Sequence, residues 1–268
     1  MKDMQGRRAA VTGSATGLGR AIALKLAERG ADVIVNCARS LDEAERTADE
    51  IRALGVEARV VQADVAREEG CAALARAAAD WGALDMLVNN AGITRHAPDH
   101  GDMDALSAQD FLDVYAVNVV GAFMATRAMR PLLEAAAAAS GRASAVLNTS
   151  SIAGVTGIGS SVAYAASKGA LNTMTLSLAR ALAPSIRVNA ICPGFIGTRW
   201  FRKLMDDDAY ARQVEQVKAR TPLRAASEAE DIADAALFLL SDAARHVTGE
   251  LLSVDAGLHL GFAPLKAR

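Results

Sequence analysis

Residues 8–19 read Arg8-Ala9-Ala10-Val11-Thr12-Gly13-Ser14-Ala15-Thr16-Gly17-Leu18-Gly19. Residues 8–12 are a short apolar run of strand length. Glycines then cluster, and from residue 17 to 29 apolar side chains return at helical spacing. Ile22 and Leu26 share one face; Lys25, Glu28 and Arg29 take another. A strand, a glycine turn and a helix in that order make the first unit of an α/β layer. Glycine at such a turn permits a tight reversal and lets a phosphate approach backbone amides, toward the partial positive charge of a helix N-terminus.

The same alternation runs outward along the chain. Residues 32–36 form a second apolar run. Ser40-Leu41-Asp42-Glu43 reads as a capping box, in which the serine hydroxyl takes a free amide and Glu43 reaches back. Ala44, Ala48 and Ile51 continue that helix inward, and Gly55 ends it. Further strands are expected at 57–62, 84–88, 145–148, 186–191 and 251–254. Ala135 to Ala139 reads as the end of a helix. Nearly continuous apolar strands alternating with helices imply a seven-stranded parallel sheet, doubly wound, with helices on both faces. No Pro/Gly/Ser linker and no internal repeat divides the 268 residues, so one domain is expected.

Composition excludes several classes of function. Lys plus Arg is 29 against 31 Asp plus Glu, a net charge of −2, where a nucleic-acid binder needs excess cations. Aromatic residues are only 4%, too few for base-stacking platforms. Cys37, Cys71 and Cys192 are odd in number and widely spaced, which suits neither a disulfide framework nor a metal motif and points to a cytoplasmic setting. His96, His100, His246 and His259 form no HExxH pattern, so no metal is expected. Arg7-Arg8 is not followed by the apolar stretch of a signal peptide, and no window approaches the ~18 apolar residues of a membrane helix.

Glycines at 13, 17 and 19 depart from the G-x-G-x-x-G order, and no Gly-Lys-Ser/Thr follows. The stretch from Thr12 to Gly19 instead resembles the Thr-Gly-x-x-x-Gly-x-Gly loop of the short-chain dehydrogenase/reductase family. That resemblance implies a Rossmann-type NAD(P)-binding domain over residues 1–268, with Gly13, Ser14, Thr16, Gly17, Leu18 and Gly19 at the cofactor.

An acid at the end of the second strand would bind a free ribose 2′-hydroxyl and repel a 2′-phosphate. Here the strand runs into Ala38-Arg39-Ser40, with no acid before Asp42. Arg39 can pair with a 2′-phosphate and Ser40 can donate to it, so NADP is favoured over NAD. Asp64-Val65 resembles the family's adenine-contacting pair; helix capping by Asp64 is the plain alternative. Asn89-Asn90-Ala91-Gly92 resembles the motif beside the cofactor, giving Asn90, Ala91 and Gly92 that place.

Tyr164 and Lys168 stand four apart on a helical pattern, so they share a face. A free phenol is only about 0.1% ionised at pH 7, and a nearby ammonium is expected to lower its pKa. Tyr164 can then exchange a proton with an alcohol or carbonyl oxygen. Ser151 lies 13 positions before Tyr164, a spacing that resembles the family's catalytic serine; Ser150 is the competing assignment. Asn118 resembles the asparagine whose carbonyl holds a water beside the lysine; its plain alternative is a kink in a long helix. The resemblance thus implies a catalytic set of Asn118, Ser151, Tyr164 and Lys168. Pro193 and Gly194 resemble the Pro-Gly motif by the nicotinamide, joined by Ile196 and by Thr198, which binds the carboxamide.

The segment 195–221, with Trp200, Phe201, Leu204, Met205 and Tyr210, resembles the family's substrate lid. The loop 94–106 is expected to form the opposite wall. These features imply a small-molecule ketone or secondary alcohol as substrate, and no nucleic-acid or membrane partner. The general pattern is similar to the 3-oxoacyl-[acyl-carrier-protein] reductases. That branch docks its carrier through basic residues, where this chain has Ala135 to Ala139 and Pro184-Ser185, with Arg142 and Arg187 only nearby. A sugar dehydrogenase is a further alternative, and a dinucleotide-binding regulator is the non-enzymatic one. No Gly-x-Ser-x-Gly elbow of a serine hydrolase occurs. The family commonly forms homotetramers, and the alanines between Ala122 and Ala139 and between Ala163 and Ala183 would allow close helix pairing.

Overall fold

The computed structural model describes residues 2–197 and 206–261. Strands β1 (Arg8–Val11), β2 (Asp32–Cys37), β3 (Ala58–Gln62), β4 (Met86–Asn89), β5 (Ser144–Thr149), β6 (Ile186–Pro193) and β7 (Leu251–Val254) form one sheet. Its order is β3-β2-β1-β4-β5-β6-β7, and every pairing is parallel. The expected strands all form, with ends shifted by one or two residues. β4 starts two residues later than expected, and Leu84 donates its N–H to the Leu132 carbonyl, outside the ladder.

Successive strand residues serve opposite faces of the sheet. Val33 and Val35 enter one core while Ile34 enters the other; Met86 and Val88 likewise oppose Leu87. The first face is covered by α1 (Gly17–Glu28), α2 (Leu41–Ala53) and α9 (Ala229–Leu240). The second is covered by α3 (Glu68–Ala79), α5 (Ala122–Ser140) and α7 (Val162–Leu182). Alanine dominates the packed helix faces, as at Ala21, Ala27, Ala233 and Ala236. Small side chains let the helices lie close to the sheet, which explains the alanine-rich composition.

The strand order reverses between β1 and β4, so the loops after these two strands part and leave a crevice at their carboxyl ends. Three features bring residues into it. Segment Ala116–Gly121 is a π-helical turn joining α4 (Ala108–Tyr115) to α5. Helix α6 (Ala153–Thr156) is a single turn after β5. Helix α8 (Asp207–Arg220) follows β6, and its Tyr210 ring lies 6.5 Å from that of Phe195.

The expected capping box at Ser40 does not form. Ser40 is the N-cap of α2, but its side chain makes no capping hydrogen bond. Its backbone, with φ −88° and ψ 62°, lies outside the extended conformation that aims an N-cap hydroxyl at the helix amides.

Candidate active site

The glycine turn is held from three sides. Thr12 Oγ1 accepts from the N–H groups of Asn90 (2.9 Å) and Ala91 (3.0 Å). Asn90 Nδ2 returns two bonds, to the carbonyls of Thr12 and Gly13, each 3.0 Å. Asn36 Oδ1 accepts from Gly13 N–H at 3.0 Å, and its Nδ2 donates to Val61 and Ala63. Gly13 has φ +63°, and a Cβ there would lie 2.9 Å from the Ala91 backbone. At Gly19 a Cβ would lie 2.4 Å from Asn90 Nδ2 and from the Gly13 carbonyl. Thr16, the N-cap of α1, makes no side-chain cap, and no acid sits in the first turn. The leading amides of α1 are therefore left for an outside acceptor.

At the carboxyl end of β5 a second group converges. Ser161 caps α7 by accepting from Tyr164 N–H at 3.1 Å, which fixes Tyr164 in the first turn. Lys168, one turn on, is buried; its Nζ donates to the Thr149 carbonyl at 2.7 Å and lies 5.6 Å from the centre of the Tyr164 ring. The Ser151 side chain hydrogen-bonds Tyr164. Ser150 does not: its hydroxyl is buried and donates to Asn172 Oδ1 at 2.6 Å. Burial pushes the Lys168 ammonium down to about 8, with Cys192 pulling weakly the other way. Burial pushes the Tyr164 phenol up, and the Ser151 bond offsets part of that. The expected lowering of the phenol by the ammonium is thus not met in the protein itself, because the lysine points to Thr149 and burial is the larger effect.

Asn118 sits in the π-helical turn. Its Oδ1 accepts from Ile93 N–H at 2.8 Å, and its Nδ2 donates to Ile93 O and Ser167 Oγ, both 3.0 Å. The amide holds the loop after β4 against α7. The kink expected of a long helix at Asn118 is met by this π-helical turn, a feature frequent at functional sites.

The family model described as "Enoyl-(Acyl carrier protein) reductase" matches residues 13–259. A relative named 3-oxoacyl-[acyl-carrier-protein] reductase FabG, from Staphylococcus epidermidis, is 36% identical over 95% of this chain and 99% of its own. A solved chain from Burkholderia xenovorans, assigned to the short-chain dehydrogenases/reductases, superposes with a TM-score of 0.86 at 38% identity, covering 95% of this chain and 98% of that one. The chain belongs to the short-chain dehydrogenase/reductase family. It is an oxidoreductase, and the staphylococcal relative is by name a reductase of 3-oxoacyl-[acyl-carrier-protein]. A third comparison, the RhlG/NADP active-site complex of Pseudomonas aeruginosa, gives 0.86 at 31% identity over 96% of this chain and 98% of that one.

Within this family fold, Gly92 closes on the same cluster: a Cβ there would lie 3.3 Å from Asn118 Oδ1 and 3.6 Å from Lys168 Nζ. Gly194 follows β6, where a Cβ would meet Asp255 at 2.7 Å, and Ile196 bridges to Ser227. Val65 is buried; Asp64 is exposed, and its Oδ1 accepts from Ala66 N–H instead of capping α3, whose N-cap is Arg67. Arg39 and Ser40 are exposed at the end of β2, on a cleft of about 300 Å³ that Arg46 also lines. Thr198 and the lid residues Trp200, Phe201, Leu204 and Met205 lie outside the described residues.

Ser14 requires a correction. Its hydroxyl is fully buried, donating to Val11 O at 2.6 Å and accepting from Asn36 N–H at 3.0 Å. It stitches β1 to β2, and its one donor hydrogen is already used, so the side chain has none to give a cofactor phosphate. The sequence reading also misses Thr12 and Asn36 as the clamps of the glycine turn, and Asn172 beneath Ser150. A buried polar residue inside an apolar strand, as at Asn36, is the signal that could have found one of them. The loop 94–106 is tied to the segment before α7: Ala97 N–H donates to Ser160 O at 2.8 Å, and His100 Nε2 lies 3.2 Å from Gly159 O. Among the described residues no cluster could hold a metal ion, and no helix is long and apolar enough to cross a membrane.

Proposed function

We propose that the chain is an NADP(H)-dependent reductase of ketones, or dehydrogenase of secondary alcohols, with Tyr164 as the proton-transfer group. The observation that carries this reading is the convergence of the Ser151 hydroxyl and the Lys168 ammonium on the Tyr164 ring. A bound nicotinamide supplies or accepts the hydride. Ser151 holds the substrate oxygen and stabilises the charge that develops there. In reduction, the Tyr164 hydroxyl gives its proton to that oxygen, and in oxidation the phenolate takes it back. Lys168 stabilises the phenolate, and the backbone carbonyl of Asn118 holds a water that resupplies the proton.

The residues fit a dinucleotide. The uncapped N-terminus of α1 suits a pyrophosphate, and the close approaches at Gly13 and Gly19 hold the loop tight against β4. Gly13, Thr16, Gly17, Leu18 and Gly19 form this cradle; Asn90, Ala91, Gly92, Pro193, Gly194 and Ile196 line the crevice beyond it. Exposed Arg39 and uncommitted Ser40 support a 2′-phosphate, hence NADP over NAD. The NADP complex of the Pseudomonas neighbour agrees with that preference.

A free ketone is favoured over a carrier-bound one. Arg187 is buried, donating to the carbonyls of Leu239, Val247 and Ser241, and Arg142 is paired with Asp242. Neither offers a free cation to a carrier protein. The staphylococcal relative's name favours the other reading, a 3-oxoacyl thioester. A panel of ethyl acetoacetate, an acetoacetyl thioester, a cyclic ketone and an aldose tests both, followed at the nicotinamide absorbance with NADPH and NADH in parallel. Turnover of ketones with NADPH is expected. Turnover confined to the thioester would replace the free-ketone reading, and an NADH preference would overturn the reading of Arg39.

We also read the protein as a cytoplasmic homotetramer. Val120, at the end of the π-helical turn, and Phe123, at the start of α5, are exposed apolar side chains that pairing would cover. Light scattering that gives a monomer mass would refute the assembly.

A further inference from the structure

Asn172 lies on α7 four residues after Lys168, on the same helix face as Tyr164 and Lys168. It is buried, and its amide is bonded on both sides of Ser151. Its Oδ1 accepts from Ser150 Oγ at 2.6 Å, one residue before Ser151. Its Nδ2 donates to Gly154 O at 3.1 Å, three residues after. Cys192 Sγ, on β6, lies 3.9 Å from the same Oδ1. Around this amide the backbones are in close contact: a Cβ on Gly154 would lie 2.5 Å from the Lys168 carbonyl carbon. Within the turn, Ser151 Oγ also accepts from Ala153 N–H at 3.1 Å.

The turn that carries Ser151 and the helix that carries Tyr164 and Lys168 are separate elements, and their relative position decides whether the serine reaches the phenol. We propose that Asn172 is a positioning residue of this site, bracketing the Ser151 turn through Ser150 and Gly154 and so holding the Ser151 hydroxyl on Tyr164. The inference rests on the proposed role of Tyr164. Asn172 touches neither substrate nor cofactor and acts only through Ser151. An amide is suited to the position because one group must accept on one side and donate on the other.

Replacing the amide by an apolar side chain of similar size removes both bonds and leaves Ser150 Oγ and Gly154 O without this partner. The Ser151 turn keeps its backbone bonds to β6 and the Ser150 bond to the Lys168 carbonyl but loses the amide that brackets it, and a displacement of about 1 Å in a reacting group costs up to roughly a hundredfold in rate. Loss of the Ser151 bond also removes the one contact that lowers the Tyr164 phenol, so the pH inflection of turnover moves upward. Lys168 and Cys192 are the titratable side chains packed here from α7 and β6, and neither is altered.

The test compares Asn172→Leu, Ser150→Ala and Tyr164→Phe with the wild type, using NADPH and the best ketone of the panel. For Asn172→Leu the expected result is a ten- to hundredfold fall in kcat, a KM for NADPH within twofold, and an inflection at higher pH. Turnover within threefold of wild type at an unchanged inflection, with Tyr164→Phe inactive, would overturn the proposal. So would a fall in kcat matched by lost NADPH affinity at an unchanged inflection, the mark of general damage. Should Asn172→Leu fail to fold, Ser150→Ala decides, because it removes the hydroxyl that bonds Asn172 and, at 3.2 Å, the Lys168 carbonyl, and leaves the Gly154 bond in place. A threefold or larger loss of kcat with a raised inflection supports the proposal; wild-type behaviour overturns it. Substantial turnover by Tyr164→Phe would instead sink the functional reading itself.

Discussion

At the carboxyl end of β5, Ser150, Lys168 and Asn172 are buried, and each polar side chain is bonded within the protein. At the carboxyl end of β2, Arg39 and Ser40 are exposed; Ser40 caps nothing, and neither side chain bonds to another among the described residues. Both ends open on the same crevice, yet one is fixed before any ligand arrives and the other is free to move. Proton transfer needs groups held to a fraction of an ångström, and burial with full hydrogen bonding supplies that. Recognition of a charged phosphate needs reach and polarity, which an exposed guanidinium supplies without prior order. The fixed end sets the reaction, and the free end selects the cofactor.

The sharpest way to break this comparison is at the fixed end. Tyr164→Phe keeps the ring and loses the hydroxyl. Turnover should fall by about a thousandfold or more, on the scale of a lost acid/base group. Binding of NADPH, followed by its fluorescence, should stay within a few fold. Substantial residual turnover would mean that the proton comes from elsewhere.

Lys168→Met tests the cost of that fixed end. A buried lysine at about 8, against an ordinary 10.5, favours its neutral form in the folded state. The unfolded chain therefore binds more protons between these two values, and wild-type stability rises with pH through that window. Below about pH 8 the buried ammonium carries its full penalty, roughly 3 kcal/mol as an upper bound. Lys168→Met should lose turnover by about a hundredfold or more and still melt a few degrees higher at pH 7. The gain should fade toward pH 10. A variant less stable than wild type at pH 7 would show that the bond to Thr149 O outweighs the desolvation.

Arg39→Ala moves to the free end. The KM for NADPH should rise roughly ten- to hundredfold, the weight of one or two charge-assisted hydrogen bonds, and the KM for NADH should barely change. The melting temperature should be unmoved, since Arg39 has no bonded partner among the described residues. An equal effect on both cofactors would remove Arg39 from the 2′-phosphate.

The two ends were also unequally legible in the sequence. The sheet could be read almost whole, because short apolar runs such as those around Ile34 and Leu87 are a local property of the chain. Tyr164 and Lys168 were legible for the same reason: four residues on a helix fix their shared face. Ser151 followed from its spacing to Tyr164, but nothing local separates it from Ser150; only the packing of α7 turns one hydroxyl outward and the other toward Asn172. Asn172 itself was invisible, since its partners lie 18 to 22 residues away in sequence on another element. Ser14 was misread for a related reason. A motif states which residues surround a ligand, but not which hydroxyls the sheet has already used.

Ser40 gives the smallest effect and the finest discrimination between the two ends. The sequence assigns its hydroxyl to the helix, as half of a capping box with Glu43; the structure leaves that hydroxyl uncommitted. The two assignments differ in what Ser40→Ala should do. Loss of a true N-cap costs about 1 kcal/mol and would lower the melting point by a few degrees, with no preference between cofactors. Loss of a phosphate donor leaves stability unchanged and raises the KM for NADPH about two- to fivefold, with NADH unaffected. The second pattern is expected, because the backbone at Ser40 aims the side chain away from the amides of α2. A drop in melting temperature with an unchanged NADPH-to-NADH ratio would return Ser40 to the helix and leave Arg39 as the one side chain that reads the 2′-phosphate at this rim.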